Sequence, residues 1–281
     1  MKFSLIIATR GRSSELRRLF ESLERQACPD LEVIVVDQNP DRRASTVVEE
    51  FAGRLHVIRI TAAPGATRAR NAGLAIASGD VIGFPDDDCW YPDEVLARVG
   101  EFLLRYPEWD GIIGHSVDAF GANTLPWGER AGALTPAMSW RRAVTYVYFL
   151  RRKAALGVGG FDERLGPGAG TPWGAGDDND YMLRVLKGGA RVYFDPALKV
   201  HHPPLFSGFD AATLAKRASY ARADGRVLRK HPMPLWWMVA FFGIPLLRWC
   251  LSLPRADAGC LRFHWITFRG RVQGYSDSPV A

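Results

Sequence analysis

The stretch GFPDDDCWYPD, from Gly83 to Asp93, places three adjacent carboxylates directly after a short apolar run. Adjacent negative charges repel each other, so a fold gains no stability by holding them together near its core. Carboxylate oxygens are, however, the hard ligands that Mg²⁺ and Mn²⁺ prefer. Asp86, Asp87 and Asp88 therefore predict a divalent metal site at the end of a strand. The alternative is a solvated acidic turn with a helix N-cap at Asp93.

Segments typical of strands and helices alternate along the chain around this stretch. Apolar runs predict strands at 3–9, 31–36, 55–60 and 80–84, and helices are predicted after Ser13 or Ser14, at 43–53 and at 66–77. This alternation predicts an α/β fold with a doubly wound, mostly parallel sheet and flanking helices. Further strands are predicted at 111–117, 144–150 and 191–194, and a long glycine-rich loop at 157–176.

Polar residues follow three of the predicted strands. Thr9 and Arg10 end the first strand, Asp37 and Gln38 end the second, and the aspartate triplet follows strand 80–84. Ligands of doubly wound sheets bind in the crevice outside the carboxyl ends of the strands. The three clusters therefore predict one ligand-binding edge of the sheet.

A second acidic cluster, GAGDDND at 174–180, begins a helix predicted to extend to 186. Asp177, Asp178 and Asp180 are candidates for a catalytic role. They are also the acids that the helix macrodipole favours in a first turn. His201 and His202 follow the last predicted strand, where a histidine can be a metal ligand or a buried core residue.

The bulk composition indicates a globular protein with a basic C-terminal tail. Hydrophobic residues make up 47% of the 281 residues, and the net charge is +6. Eleven basic and three acidic residues lie from Ala211 onward, leaving −2 for the preceding part. The four cysteines lack CxxC spacing, which predicts reduced thiols in a cytosolic protein. The apolar start of the chain is predicted to be a strand rather than a signal peptide.

The tail contains a strongly apolar segment at 231–253. A spanning helix needs about 20 apolar residues, but the uncharged part at 234–247 is shorter and contains Pro245. Trp236, Trp237 and Trp249 suit a headgroup interface, and basic residues flank the segment. An interfacial anchor on an anionic membrane surface is predicted, with a spanning helix or a core helix as alternatives. The basic residues do not interleave with aromatics in a groove pattern, which argues against nucleic acid as a partner.

Five segments, in this order, resemble glycosyltransferase family 2. They are SLIIATRGR, VIVVDQNP, ARNAGLAIASGDVIGFPDDDCWYPD, GVGGFDERLG and GAGDDNDYMLRVLKGG. The resemblance covers 1–205 and implies a catalytic domain of the GT-A fold, with nucleotide-sugar binding in 1–118 and acceptor binding and the base in 119–205. Residues 206–281 are then the helical, membrane-associating tail.

The resemblance assigns roles position by position. It implies nucleotide binding by Thr9, Arg10, Asp37, Gln38, Arg70, Asp86 and Asp87. It implies Mn²⁺ or Mg²⁺ binding by Asp88, Asp86 and His201, with His202 as the alternative to His201. Asp178 matches the expected catalytic base. The chain departs from the family pattern where Gln38 replaces a frequent aspartate and Asp177 a usual glutamate.

The resemblance also implies the reaction. The expected enzyme is an inverting, metal-dependent hexosyl- or deoxyhexosyltransferase that uses a nucleotide-diphosphate sugar donor. The family's processive motif QxxRW is absent, which favours transfer of a single sugar. With the tail, this predicts a saccharide or lipid-linked saccharide acceptor in surface polysaccharide assembly, and a cytoplasmic enzyme peripheral to the inner membrane. The alternatives are a nucleotidyltransferase acting on sugar phosphates and a non-catalytic membrane-binding module.

Overall fold

The computed structural model describes residues 1–26, 28, 30–124, 128, 130–206, 208–255 and 257–278. The side chains of Arg141 and Arg255 and the last three residues of the predicted tail lie outside the described residues. The chain forms two compact units. The first comprises Met1–Phe161 and Tyr181–Pro204, and the second comprises Asp162–Asp180 and Leu205–Ala281. Residues 162–180 are thus grouped with the C-terminal helices, whereas the sequence analysis assigned them to the catalytic domain.

The first unit contains one eight-stranded sheet in the order β3-β2-β1-β4-β7-β5-β8-β6. The strands are β1 Phe3–Thr9, β2 Leu31–Asp37, β3 His56–Thr61, β4 Val81–Gly83, β5 Gly111–Val117, β6 Gly132–Ala133, β7 Tyr148–Arg151 and β8 Val192–His201. β7 is antiparallel to β4 and β5, β6 is antiparallel to β8, and the other pairs are parallel. The predicted α/β class with a mostly parallel sheet is confirmed.

The helices flank this sheet and form the tail. They are α1 Ser14–Glu24, α2 Arg43–Glu50, α3 Ala66–Ile76, α4 Val95–Arg105, α5 Pro136–Arg142, α6 Arg152–Leu156, α7 Asp177–Lys187, α8 Ala211–Lys230, α9 Leu235–Ser252 and α10 Ala258–Ser276. The first four residues of α7 belong to the second unit.

The central strands are buried on both faces, as expected of strands covered by helices. Every residue of β2 and β5 is buried, and so are six of the seven residues of β1. Glu32 is a buried charged residue within β2, and it accepts hydrogen bonds from Ser4 and Ser78. The parallel register places Thr9 opposite Asp37, and Asp37 opposite Thr61, at one edge of the sheet. Asp86 reaches the same edge through a bridge with Ala8.

In the second unit, glycines allow α8 and α10 to approach closely. A methyl group added at Gly225 would overlap the backbone of α10 at Arg271, and one at Gly274 would overlap the backbone of α8 at Arg222. Helix α9 carries most of the unit's exposed large apolar side chains. Among the described residues, it alone is long and apolar enough to cross a membrane.

Candidate active site

The three adjacent aspartates in the first unit do not all face the same partners. Asp87 is buried, and its carboxylate accepts hydrogen bonds from Thr9 Oγ1 at 2.8 Å and Arg12 Nη1 at 2.5 Å. Asp86 is partly exposed, and its Oδ1 accepts a hydrogen bond from Arg70 Nη2 at 2.8 Å. Alternating directions of this kind relieve the repulsion that three parallel carboxylates would suffer.

Asp88 faces a histidine and an arginine. Its Oδ1 lies 3.2 Å from His202 Nε2, and its Oδ2 lies 2.9 Å from Arg12 Nη2. His202 Nε2 also lies 3.9 Å from Asp86 Oδ2. One potential ligand atom from each of Asp86, Asp88 and His202 lies within 4.8 Å of the others. These three residues form the candidate metal centre.

The tautomer of His202 follows from its other ring nitrogen. Nδ1 lies 2.5 Å from the Pro203 carbonyl oxygen, which can only accept, so Nδ1 carries a proton. Nε2 is then the atom directed at the carboxylates, either as a donor in the imidazolium or as a lone pair for a cation. The ring is held by stacking on Tyr146, with centroids 4.3 Å apart. This orientation of Nε2 is typical of a histidine that binds a metal.

The electrostatics of the cluster agree with a cation-binding role. Burial lowers the pKa of His202, but the hydrogen bond and charge of Asp88 outweigh burial and raise it. Burial raises the pKa of Asp88, yet the hydrogen bond and charge of His202 outweigh burial and lower it. For Asp87, burial prevails over Arg12 and Thr9, so its pKa is raised. Asp88 is therefore the better anionic ligand of the two.

The residues present fit a divalent metal. Asp88 Oδ1 is completely buried within the cluster, and its near neighbour is His202 Nε2 at 3.2 Å. Two carboxylates and one imidazole are donors that suit Mn²⁺, and the carboxylates also suit Mg²⁺.

His201, the histidine that the sequence analysis assigned to the metal, faces elsewhere. Its ring stacks on Trp90 at 4.9 Å between centroids, and its Nδ1 lies 2.7 Å from the Asp118 carbonyl oxygen. Consecutive side chains of an extended segment point to opposite faces. Only one histidine of the pair can therefore reach the aspartates, and in this structure it is His202.

The predicted nucleotide-binding residues lie at the same sheet edge with defined partners. Asp37 Oδ1 accepts hydrogen bonds from the backbone and side-chain amides of Asn39, at 2.9 and 2.8 Å. Gln38 Oε1 accepts one from the Gly65 backbone amide at 2.7 Å, just before α3. Arg70 lies on α3, whereas Arg10 is exposed beyond β1.

Arg12 bridges two of the aspartates but was not among the residues predicted from the sequence. Its Nη1 and Nη2 atoms contact Asp87 and Asp88, respectively. The signal available in the sequence was a basic residue just after the end of β1, where the ligand-binding edge was expected. Tyr146, whose hydroxyl lies 2.9 Å from Ser116 Oγ, was also missed, because nothing in the sequence links it to His202.

Asp178 lies in the second unit, in the first turn of α7. It is partly buried, and its Oδ1 accepts a hydrogen bond from the Asn179 backbone amide at 2.8 Å. Asp177 is buried against Gly166, and Asp180 is wholly buried. Trp173, in the glycine-rich loop, is 2% exposed and packs inside this unit.

The chain is similar in sequence to known glycosyltransferases. Residues 4–156 match the family Glycosyl transferase family 2. The pre-mycofactocin glycosyltransferase of Mycobacterium tuberculosis is 27% identical over 245 residues, which cover 82% of this chain and 48% of that protein. An uncharacterized glycosyltransferase of Haemophilus influenzae is 35% identical over 92 residues, 32% of this chain and 31% of that protein. The chain spans about half the length, or less, of these relatives.

Two solved structures share the fold at 16% sequence identity. The mannosyltransferase PcManGT from Pyrobaculum calidifontis, in complex with GDP-Man and Mn²⁺, superposes with a TM-score of 0.67, covering 98% of this chain and 87% of that one. TarS 1-349 from S. aureus, in complex with UDP-GlcNAc, gives 0.61, with 97% and 91% covered. With the family match over more than half of its residues, the chain belongs to glycosyl transferase family 2 and has the GT-A fold.

Proposed function

We propose that this protein is an inverting, metal-dependent glycosyltransferase that moves one hexosyl or deoxyhexosyl group from a nucleotide-diphosphate sugar to an acceptor hydroxyl. The observation that carries the proposal is the convergence of Asp86, Asp88 and His202 at the ligand-binding edge of the sheet. Two structures of the same fold, bound to GDP-Man with Mn²⁺ and to UDP-GlcNAc, support a nucleotide-sugar donor.

The metal centre would neutralise the leaving group. Asp86, Asp88 and His202 would hold Mn²⁺ or Mg²⁺, which when bound stabilises negative charge on a departing diphosphate. Arg70 and Arg12 add fixed positive charge beside these carboxylates. Positive charge held in place before the reaction stabilises developing negative charge without a cost of reorganisation. Asp37 and Gln38, already oriented by Asn39 and Gly65, are the proposed contacts to the nucleoside.

The proposed general base is Asp178. Direct attack by an acceptor hydroxyl needs one group that removes its proton, and a carboxylate at the start of a helix can do so. A single displacement of this kind inverts the configuration at the anomeric carbon. A retaining double displacement needs a second carboxylate positioned as a nucleophile. Asp180 does not fit that role, because it is wholly buried and paired with Lys230 and His231.

We also propose that the second unit binds an anionic membrane surface, on the cytoplasmic face of the inner membrane, and that the acceptor is a lipid-linked saccharide. Leu235, Trp236, Val239, Leu247 and Leu251 are between 58% and 76% exposed on α9. Neither α9 nor α10 contains an acidic residue, and α10 exposes Arg262 and Arg269 on either side of Trp265. An apolar face with basic neighbours is typical of interfacial helices.

Co-sedimentation with vesicles tests the membrane proposal. The protein should bind vesicles that contain phosphatidylglycerol and should not bind vesicles of phosphatidylcholine alone. Replacing Trp236 and Leu247 by serine should abolish binding. The matched control is Leu104→Ser, since Leu104 is 68% exposed on α4 of the first unit. Equal binding by both variants would contradict the proposal.

Ligand-dependent thermal stability tests the donor site. UDP, GDP, dTDP and CMP are compared with and without Mn²⁺, because a ligand at a hundred times its Kd stabilises the folded state by about 2.7 kcal/mol. One nucleotide should raise Tm only with metal, and Asp88→Asn should lose the effect. Asp93→Asn is the control, since Asp93 lies five positions further on and is 68% exposed. A shift that survives Asp88→Asn would contradict the site.

Product analysis separates the rival functions. A glycosyltransferase releases the nucleoside diphosphate from its donor, whereas a nucleotidyltransferase acting on a sugar phosphate releases pyrophosphate from a nucleoside triphosphate. A non-catalytic membrane-binding module releases neither. Metal-dependent release of nucleoside diphosphate, lost in Asp88→Asn, would favour the proposed function over both alternatives.

A further inference from the structure

The ammonium group of Lys230 joins the two ends of segment 162–180, which contains most of the glycine-rich loop and belongs to the second unit. Lys230, the last residue of α8, lies 2.9 Å from Asp162 Oδ2 at the start of the loop. It also lies 2.7 Å from Asp180 Oδ1 in the first turn of α7. The Lys230 side chain is 30% exposed and that of Asp180 is not exposed at all, so solvent screens this bridge less than a surface pair. Lys230 therefore bridges the two ends of the loop, and we call the Asp162–Lys230–Asp180 bridge the neck of the loop.

A histidine completes the arrangement at Asp180. His231 Nε2 lies 2.8 Å from the same Oδ1 atom, and the His231 side chain is 5% exposed. A buried carboxylate is tolerated only where hydrogen bonds or charges compensate its lost hydration. At the other end of the neck, burial raises the pKa of Asp162, but hydrogen bonds from Arg164 and Lys230 outweigh burial and lower it. Both carboxylates of the neck thus depend on the end of α8.

The middle of the loop is fixed by the same helices. Trp173 donates its indole N–H to Asp277, at the end of α10, over 2.8 Å. Arg226 of α8 lies over the Trp173 ring at 4.7 Å, and the Gly174 backbone amide donates to Ser219 Oγ of α8 at 3.0 Å. The loop is therefore held at its start, middle and end by the C-terminal helices. This long loop is ordered by side chains from outside it.

We propose that Lys230, His231 and Asp180 are positioning residues for Asp178, and that Asp162 contributes by holding Lys230 in place. Asp178 and Asp180 share one helical turn, so a displacement of Asp180 moves Asp178 with it. A displacement of about 1 Å in a reacting group can lower the rate by about 100-fold. The inference rests on the proposed function, because it takes Asp178 to be the general base. The end of α8 would then contribute to catalysis by positioning Asp178, a role separate from membrane binding.

Steady-state kinetics of Lys230→Met test the positioning role. The expected result is a kcat about 10- to 100-fold lower, with KM for the donor within about two-fold of the wild type, because donor binding does not involve this turn. Lys230→Arg should restore most of kcat, since it keeps the charge. The matched control is Arg229→Met, since Arg229 adjoins Lys230 but donates to the Tyr275 carbonyl instead. A loss of kcat as large in Arg229→Met would overturn the proposal.

Amide hydrogen exchange provides a readout that does not depend on activity. Peptides within 163–179 should exchange faster in Lys230→Met than in the wild type or in Arg229→Met. Peptides from β1 and β2 should not change. Unchanged exchange in 163–179 would overturn the neck bridge. Faster exchange with unaltered kcat would overturn the positioning role. If the wild type transfers no sugar from any donor, the proposed function fails, and the exchange result still decides whether the bridge exists.

A second variant covers the case in which Lys230→Met does not fold. Asp162→Asn weakens only the start of the neck and leaves Asp180 with both Lys230 and His231. It should therefore fold, exchange faster in 163–179 and lower kcat by a smaller factor than Lys230→Met is expected to do. Wild-type exchange and kcat in Asp162→Asn would overturn the proposal.

Discussion

Replacing Glu32 by glutamine should destabilise the protein strongly at neutral pH and less in acid. The Glu32 side chain is 4% exposed in β2. Its carboxylate accepts hydrogen bonds from Ser4 Oγ at 2.6 Å and Ser78 Oγ at 2.7 Å, and Lys2 Nζ lies 3.1 Å away. Burial raises the pKa of Glu32, but the hydrogen bonds from Ser4 and Ser78 outweigh burial and lower the pKa to about 2.

The size and sign of the effect follow from this pKa. The ordinary value is 4.5 and the folded value is about 2, and each unit corresponds to about 1.4 kcal/mol, so the ionised carboxylate contributes about 3 kcal/mol. Because the folded pKa lies below the unfolded one, the contribution is complete above the unfolded pKa. It is lost as the pH falls toward the folded pKa, and about half remains at about pH 3.

Urea unfolding at several pH values measures this contribution. Glu32→Gln should lower the free energy of unfolding by about 3 kcal/mol at about pH 7, and the difference from wild type should shrink as the pH falls below about 4.5. The control is Glu101→Gln, an exposed position on α4, which should change stability by less than about 0.5 kcal/mol. A Glu32→Gln loss that is the same at every pH would refute the reasoning, since it would then come from packing and not from the charge.

Three further predictions concern the metal centre, the tail and a buried thiol. His202→Ala should weaken Mn²⁺ binding at least about 10-fold in calorimetry, whereas His201→Ala should leave it within about two-fold; the reverse order would restore the assignment of His201. Gly274→Ala should cost about 1–3 kcal/mol in urea unfolding, while Gly243→Ala, where a methyl group meets open space, should be neutral or stabilising by up to about 1 kcal/mol. Equal effects would show that α8 and α10 do not pack closely. Burial raises the pKa of the Cys89 thiol, so Ellman's reagent should label it only after unfolding; labelling in the native state would place it at the surface.

Much of the fold follows from local sequence patterns. β1 and β2 are continuous apolar runs, which indicate strands buried on both faces, and both lie within one residue of their predicted bounds. The helix predicted at 66–77 also ends within one residue of the end of α3. These elements could be predicted because their residues alone determine their burial.

Other elements depend on distant partners and were predicted less well. Segment 144–150 was predicted as one strand, but it begins with a 3₁₀ turn at Thr145–Val147, and β7 then continues to Arg151. β7 pairs antiparallel with both neighbours, and the sequence of a four-residue strand carries no information on strand direction. β8 continues past its predicted end at 194, through Asp195 and Pro196, to His201. The register with β5 shifts between Ile113 and His115, which accommodates the irregularity.

The candidate site divides in the same way. Strand ends identified Thr9, Asp37 and Asp86, because the carboxyl ends of parallel strands meet at one edge. The choice between His201 and His202 depended on which face of an extended segment is turned toward the aspartates. That orientation is fixed by the pairing of Trp90 with His201, which is distant in sequence. The neck bridge of Lys230 likewise joins residues 50 and 68 positions apart, beyond the range of any local pattern.

The aspartate triplet shows why a cluster that is unfavourable in isolation is retained. Asp87 is buried and accepts a hydrogen bond from Thr9, so its charge connects the segment after β4 to the end of β1. Asp86 and Asp88 turn toward a histidine whose other nitrogen is already committed to a carbonyl oxygen. Arg70, Arg12 and His202 offset part of the repulsion between the two carboxylates. A divalent cation held by both carboxylates would offset it further, so the pair would bind such an ion more tightly than an isolated aspartate.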